Sequence, residues 1–156
     1  MEFYEVDGIV DLEKYNYSNY KVGVIAHIVD KDGNILLQQR GLKSRDENGL
    51  FEDVGGKVDK DDIDYKFAIE REIKEEMGDD VNINISGPMG VWYVPKKDTN
   101  WLFIVFKGTY LNGNIKIMEP DKCMGYKFFT YDEAIKSNML SESCNFLVKT
   151  MKKIGE

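Results

Sequence analysis

Residues 55–78, GGKVDKDDIDYKFAIEREIKEEMG, constrain the fold of this chain more than any other stretch. Ile69, Ile73 and Met77 recur every four residues, and Gly78 follows as a stop signal. This spacing predicts a helix over residues 63–77. Successive helical residues turn by about 100°, so Glu72, Glu75 and Glu76 share one face within an arc of about 100°. The apolar line lies beside them and anchors the helix to a core. Three carboxylates so placed repel one another unless a cation sits among them, and hard oxygen ligands suit magnesium or manganese rather than zinc. The plainer reading is a solvated face with Glu70–Lys74 and Arg71–Glu75 pairs at i, i+4. The upstream glycines favour the first reading. Gly55 and Gly56 are expected to turn the backbone sharply between strand and helix, bringing backbone groups close to a metal or phosphate.

Around this segment the pattern is mostly that of strands. Residues 20–30 and 34–40 flank Lys-Asp-Gly and read as a β-hairpin. Residues 41–50 form a polar loop, and FEDVGGKV (51–58) begins as a strand that breaks at the double glycine. Further strands are expected at 81–85, 89–94, 100–110 and 125–130, and one short strand with a loop within 1–20. YDEAIKSN forms a short helix, and 141–154 an amphipathic one with Phe146, Leu147, Met151 and Ile154 on one side. At 156 residues this is expected to be a single domain, 1–156, of the α/β class, a mixed sheet with helices on both faces.

Charge narrows the partners. With 21 basic against 28 acidic residues the net charge is −7, which argues against unaided binding to a nucleic-acid backbone. A polyphosphate remains compatible if a divalent cation sits between it and the protein. WLFIVF is the longest apolar block, far short of a membrane span, and the acidic start MEFYEVDGIV has no signal-peptide character. A cytoplasmic protein with no membrane association is expected. Cys123 and Cys144, without a second pair, fit reduced thiols better than a zinc site or a disulfide. His27, the only histidine, reads as structural or substrate-lining.

The same segment closely resembles the Nudix hydrolase motif: a glycine, five residues, an acid, seven residues, then Arg-Glu-hydrophobic-x-Glu-Glu-x-Gly. Gly56 matches the motif glycine, Arg71 and Glu72 the Arg-Glu pair, Ile73 the apolar position, Glu75 and Glu76 the Glu pair, and Gly78 the closing glycine. Downstream, EPDKCMGYKFF followed by YDEAI is similar to the C-terminal part of MutT-like nucleoside triphosphate hydrolases. There are departures. The stretch from Gly56 to Arg71 is one residue longer than the motif, Asp62 or Asp64 is the nearest counterpart of its early Glu, and Asp79 replaces an apolar residue.

The resemblance implies an α/β/α sandwich, with a mixed curved sheet between two main helices, and a Mg2+-dependent (or Mn2+-dependent) pyrophosphohydrolase. It implies that Glu72 is a metal ligand and the base toward water, that Glu75 and Glu76 hold the metal, and that Arg71 orients and charge-balances them. Gly56, through its backbone, and Glu119, in the EPDK loop, are further candidate metal ligands. Arg40, Lys57 and Gly55 are candidate substrate contacts, Arg40 as a planar fork on phosphate. The implied partner is a small nucleotide, most simply a nucleoside triphosphate cleaved to monophosphate and pyrophosphate. ADP-ribose, a dinucleoside polyphosphate, diphosphoinositol phosphate and capped RNA are alternatives, and a homodimer is common in the family. A non-catalytic Nudix binding module is the reading from another class, and the intact set Arg71, Glu72, Glu75 and Glu76 weighs against it.

Overall fold

The computed structural model describes residues 1–6 and 20–155. Its strands are β1 (Glu2–Glu5), β2 (Tyr20–Val29), β3 (Ile35–Arg40), β4 (Phe51–Glu52), β5 (Val54–Lys57), β6 (Val81–Pro95), β7 (Asn100–Gly113) and β8 (Cys123–Phe129). The helices are α1 (Tyr65–Met77), α2 (Tyr131–Lys136) and α3 (Glu142–Ile154). Within residues 1–20 the short strand is β1, while the expected loop over 7–19 lies outside the described residues.

Strand β2 organises the sheet because its side chains alternate between two cores. Val24, Ala26 and Ile28 face α1 and pack with Ala68, Ile69, Ile73 and Met77. Ile25 faces the opposite layer, where Trp92, Val94 and Val105 meet Leu147 and Met151 of α3. Ile35, Leu37 and Phe129 complete that layer against Ala134, Cys144 and Val148. The result is the expected α/β/α sandwich around a mixed sheet, since β2 runs parallel to β7 and antiparallel to its other neighbours.

The sheet forks along the other edge of β2. Residues 23–26 pair with β5, from Gly23↔Lys57 to Ala26↔Val54, whereas Ile28 and Val29 pair with β3. Strand β3 then carries β4 and β8. The fork separates β5 from the end of β3, and the candidate site is built around that opening.

Several expectations need correction. Gly55 and Gly56 are not a turn: both lie within β5, and the break falls at Asp53, between β4 and β5. The glycines allow close approach instead. A Cβ on Gly55 would sit 2.1 Å from the Val24 carbonyl oxygen, and one on Gly56 would sit 2.5 Å from Cδ of Glu72. Helix α1 starts at Tyr65, because Asp64 caps it by accepting from the Phe67 N–H at 2.7 Å, and Ile63 is left exposed outside it. Strand β6 is continuous where two strands were expected, its register with β7 jumping between Ser86 and Gly90 around Pro88, which has no N–H to pair. On α3 the buried stripe is Cys144, Leu147, Val148 and Met151, the i, i+3, i+4 set, and Ile154 falls to its side and stays exposed.

These contacts predict unequal glycine costs. Gly55→Ala, whose methyl meets backbone, is expected to lose about 3 kcal/mol in urea unfolding. Gly33→Ala, at positive φ but facing open space, is expected to lose about 1 kcal/mol. Equal losses would show that the strand tolerates a side chain at Gly55.

Candidate active site

Arg71 spends every guanidinium nitrogen within the site. Nε and Nη2 donate to the two carboxylate oxygens of Asp62 at 2.8 and 2.9 Å, and Nη2 also donates to the Lys57 carbonyl at 3.2 Å. Nη1 donates to Glu72 and to Glu75, both at 3.1 Å. The Asp62 side chain is only 1% exposed, and the Arg71 hydrogen bonds hold its carboxyl below the usual range. The extra residue between Gly56 and Arg71 is thereby explained. The loop delivers Asp62 to the arginine and leaves Asp64 to cap the helix. Glu72 lies against Gly56, and burial pushes its pKa up while the Arg71 charge opposes the shift.

Next along the face, Glu76 turns inward. Its Oε2 is buried without a hydrogen-bond partner, and burial together with the charges of Glu72, Glu52, Glu119 and Glu75 raises its pKa well above the ordinary value. The loop bearing Glu119 is tied to the end of α1. Lys116 N–H donates to the Met77 carbonyl at 2.9 Å, Met118 N–H to that of Glu76 at 3.3 Å, and the Tyr126 hydroxyl to Glu76 again at 3.0 Å. These donors satisfy carbonyls that the helix end leaves open. Glu52, on β4, accepts from Gln38 Nε2 at 3.1 Å and from Arg40 Nη1 at 2.7 Å. Glu52, Glu76 and Glu119 line one cavity of about 240 Å³ with Gly55.

A larger cavity of about 530 Å³ opens on the α3 side of the sheet. Ile25, Trp92, Trp101 and Phe103 form its apolar wall, with Trp101 and Phe103 stacked at 4° between ring planes, and Lys57, Lys96 and Lys97 add positive charge. Arg40, Arg45, Glu52 and Gly55 line both cavities, so the two meet at the fork. Arg40 also donates to the Asp46 carbonyl and carboxylate at 2.9 and 3.0 Å, so its fork is already engaged by the protein's own acids.

A profile of the NUDIX domain matches residues 19–147. The chain belongs to the Nudix hydrolase family. An Escherichia coli protein named CTP pyrophosphohydrolase is 36% identical over 47% of this chain, and the match spans 62% of that relative's length. Among solved structures, a MutT Nudix hydrolase from Burkholderia pseudomallei is 26% identical, covers 83% of this chain and 95% of its own, and superposes with TM-score 0.64. A MutT protein from Methanosarcina mazei Go1 shares the fold at TM-score 0.73 and 23% identity, over 88% of this chain and 96% of its own. The MutT-like resemblance and the sandwich fold are borne out.

Nudix hydrolases generally use divalent cations, and the donor set here fits one. Among the described residues no three carboxylate, thiol or imidazole groups are gathered closely enough to hold a metal as they stand. Yet the unpartnered Glu76 Oε2, crowded by four other carboxylates, is the environment that a hard cation would relieve. Glu72, Glu75, Glu76 and Glu119 remain the candidates to hold it, with the Gly56 backbone beside Glu72.

Sequence reasoning missed Glu52, Asp53 and the aromatic wall. An acidic pair entering the double glycine was the available signal for the first two. His27, expected to be structural or substrate-lining, is 3% exposed and bonded to Asp53 and Tyr131, and both cysteines are free and buried. No described helix is long and apolar enough to cross a membrane.

Asp62→Asn tests the Arg71 clamp. Because the folded carboxyl is held below its unfolded value, its contribution to stability is fully present above about pH 4 and is lost as pH falls through the folded pKa. The variant is expected to melt below wild type at pH 7, with the gap closing on acidification. A gap that persists below the acid range would assign the loss to packing.

Proposed function

We propose that this protein is a divalent-cation-dependent pyrophosphohydrolase that cleaves a nucleoside triphosphate to a monophosphate and pyrophosphate. The observation that carries this reading is the meeting of two unlike cavities at Arg40, Glu52 and Gly55. An aromatic cleft with lysines at its rim suits a nucleoside and its charged tail. The adjoining carboxylate cavity suits the attacked phosphorus. The name of the E. coli relative, CTP pyrophosphohydrolase, accords with this assignment.

In this reading Glu72 takes the proton of the attacking water, its affinity for protons already raised by burial. Arg71 keeps Glu72 and Glu75 in register through the clamp on Asp62. Lys57 offers an exposed ammonium to phosphate oxygens, Gly55 lets the substrate pass close to β5, and Arg40 presents charge at the junction while fixing Glu52. A cation held by Glu72, Glu75, Glu76 and Glu119 would neutralise phosphate charge and lower the pKa of water. Small nucleotides in the cytoplasm are the partners proposed, with a homodimer as the assembly.

A screen of nucleotides with magnesium, its products identified by mass, tests the reaction. Monophosphate and pyrophosphate are expected, and Glu72→Gln is expected to keep its fold and lose about 10²–10⁴-fold in kcat. Retention of more than about a tenth of the wild-type rate would remove Glu72 as the base.

A further inference from the structure

Asp53 is out of place in an apolar layer. It occupies the bend between β4 and β5, its side chain 3% exposed, on the face of the sheet that also carries Ile25, Trp101 and Phe103. Buried carboxylates are rare unless paired, because desolvation penalises the charge. Among the described residues the ion pair of Asp53 is with His27 alone, Nδ1 lying 3.0 Å from Oδ1. The Cys144 thiol donates to Oδ2 at 3.6 Å, a weak bond. Burial raises that thiol's pKa well above its ordinary value, so it stays protonated and remains a donor.

Two donors leave this carboxylate short, since an ionised Asp offers about four acceptor sites. The shortfall lies beside a cavity. Asp53, Ser143 and Cys144 line the same cleft as the aromatic wall. A flat ring resting on Trp101 and Phe103 has stacking partners there, and each oxygen of the nearby Asp53, with one donor so far, has capacity for a further one.

We propose that Asp53 is a specificity-determining residue that accepts a hydrogen bond from the exocyclic amino group of a nucleobase in this cleft. The inference rests on the nucleotide reading above and sharpens it to bases that carry an amine. Cytosine and adenine present an –NH2 projecting from the ring. Uracil and hypoxanthine present a carbonyl oxygen at the same position, which an anionic acceptor repels. The ring N–H of uracil is flanked by two carbonyl oxygens, so a carboxylate that approaches it meets both. A site that pairs a buried polar group with its substrate rejects the analogue lacking the partner, because the protein group is then left unsatisfied.

Matched pairs test this: CTP against UTP, and ATP against ITP, compared by kcat/KM for wild type and Asp53→Asn. An amide both donates and accepts, so it is indifferent to the exchange of amine for carbonyl. Wild type is expected to favour the amino member of at least one pair by about tenfold, and Asp53→Asn to bring that ratio within about threefold of unity. Ratios under fivefold in both wild-type pairs would overturn the proposal, as would an unchanged ratio in the variant. Should Asp53→Asn fail to fold, the wild-type ratios decide by the same fivefold criterion. Absence of hydrolysis for all four nucleotides would instead defeat the parent reading, which keeps the two failures distinct.

Discussion

Helix α1 meets the sheet where β5 has no side chain. A Cβ at Gly56 would lie 2.5–2.6 Å from the carboxyl atoms of Glu72, so that contact exists only because residue 56 is glycine. Below it the apolar line of Ile69, Ile73 and Met77 sinks into the core shared with Val24, Ala26 and Ile28. The docking brings a carboxylate-bearing helix face down onto a strand, and much of the electrostatics of the site follows from that approach. Desolvation strengthens repulsion among Glu72, Glu75 and Glu76 and raises the value of each positive charge nearby.

Arg71 meets part of that demand. Its planar fork answers Asp62, Glu72, Glu75 and the Lys57 carbonyl together, an arrangement that a lysine ammonium does not reproduce. Arg40 acts similarly for Glu52 and Asp46 at the fork of the sheet. Glu76 is left over. Because its folded pKa is raised, the stability it contributes is present below the ordinary carboxylate range and is lost as pH rises through the folded value. Above the ordinary carboxylate range the metal-free protein therefore loses stability at its centre, because the Glu76 carboxyl is buried among other acids. Stability surrendered at a metal-binding position, the role proposed for Glu76, is a common trade in enzymes.

Much of this was legible in the sequence. The period-four line of Ile69, Ile73 and Met77 gave helix α1, and the carboxylate face followed from helical geometry. The role of the glycines was harder to read. Residue type shows that glycine permits a turn or a close approach, and only the register of β5 on β2 decides between them. Asp62 and Glu119 came to the site through loop paths, which local pattern does not encode. Their tethers are Arg71 for the first, and backbone bonds to the end of α1 for the second. Glu52 and Asp53 are sequence neighbours, yet Glu52 lines both cavities and Asp53 the larger one, because the fork of the sheet opens beside them. Arg45, within the polar loop expected over 41–50, pairs with Asp98 and lines both cavities.

A divalent cation at Glu76 is proposed to complete the carboxylate face of α1. A titration with Mn2+ followed by electron paramagnetic resonance counts bound metal directly, and wild type can be compared with Glu76→Gln alongside metal-free melting curves. Bound Mn2+ is expected in wild type, with roughly tenfold or greater weakening in the variant, since ligand charge sets affinity for hard cations. Metal-free Glu76→Gln is also expected to melt above metal-free wild type at pH 7–8, because burial among other acids raises the pKa of the Glu76 carboxyl and an amide does not titrate. Equal Mn2+ affinity in the two proteins, with no gain in metal-free stability, would contradict a cation site at Glu76.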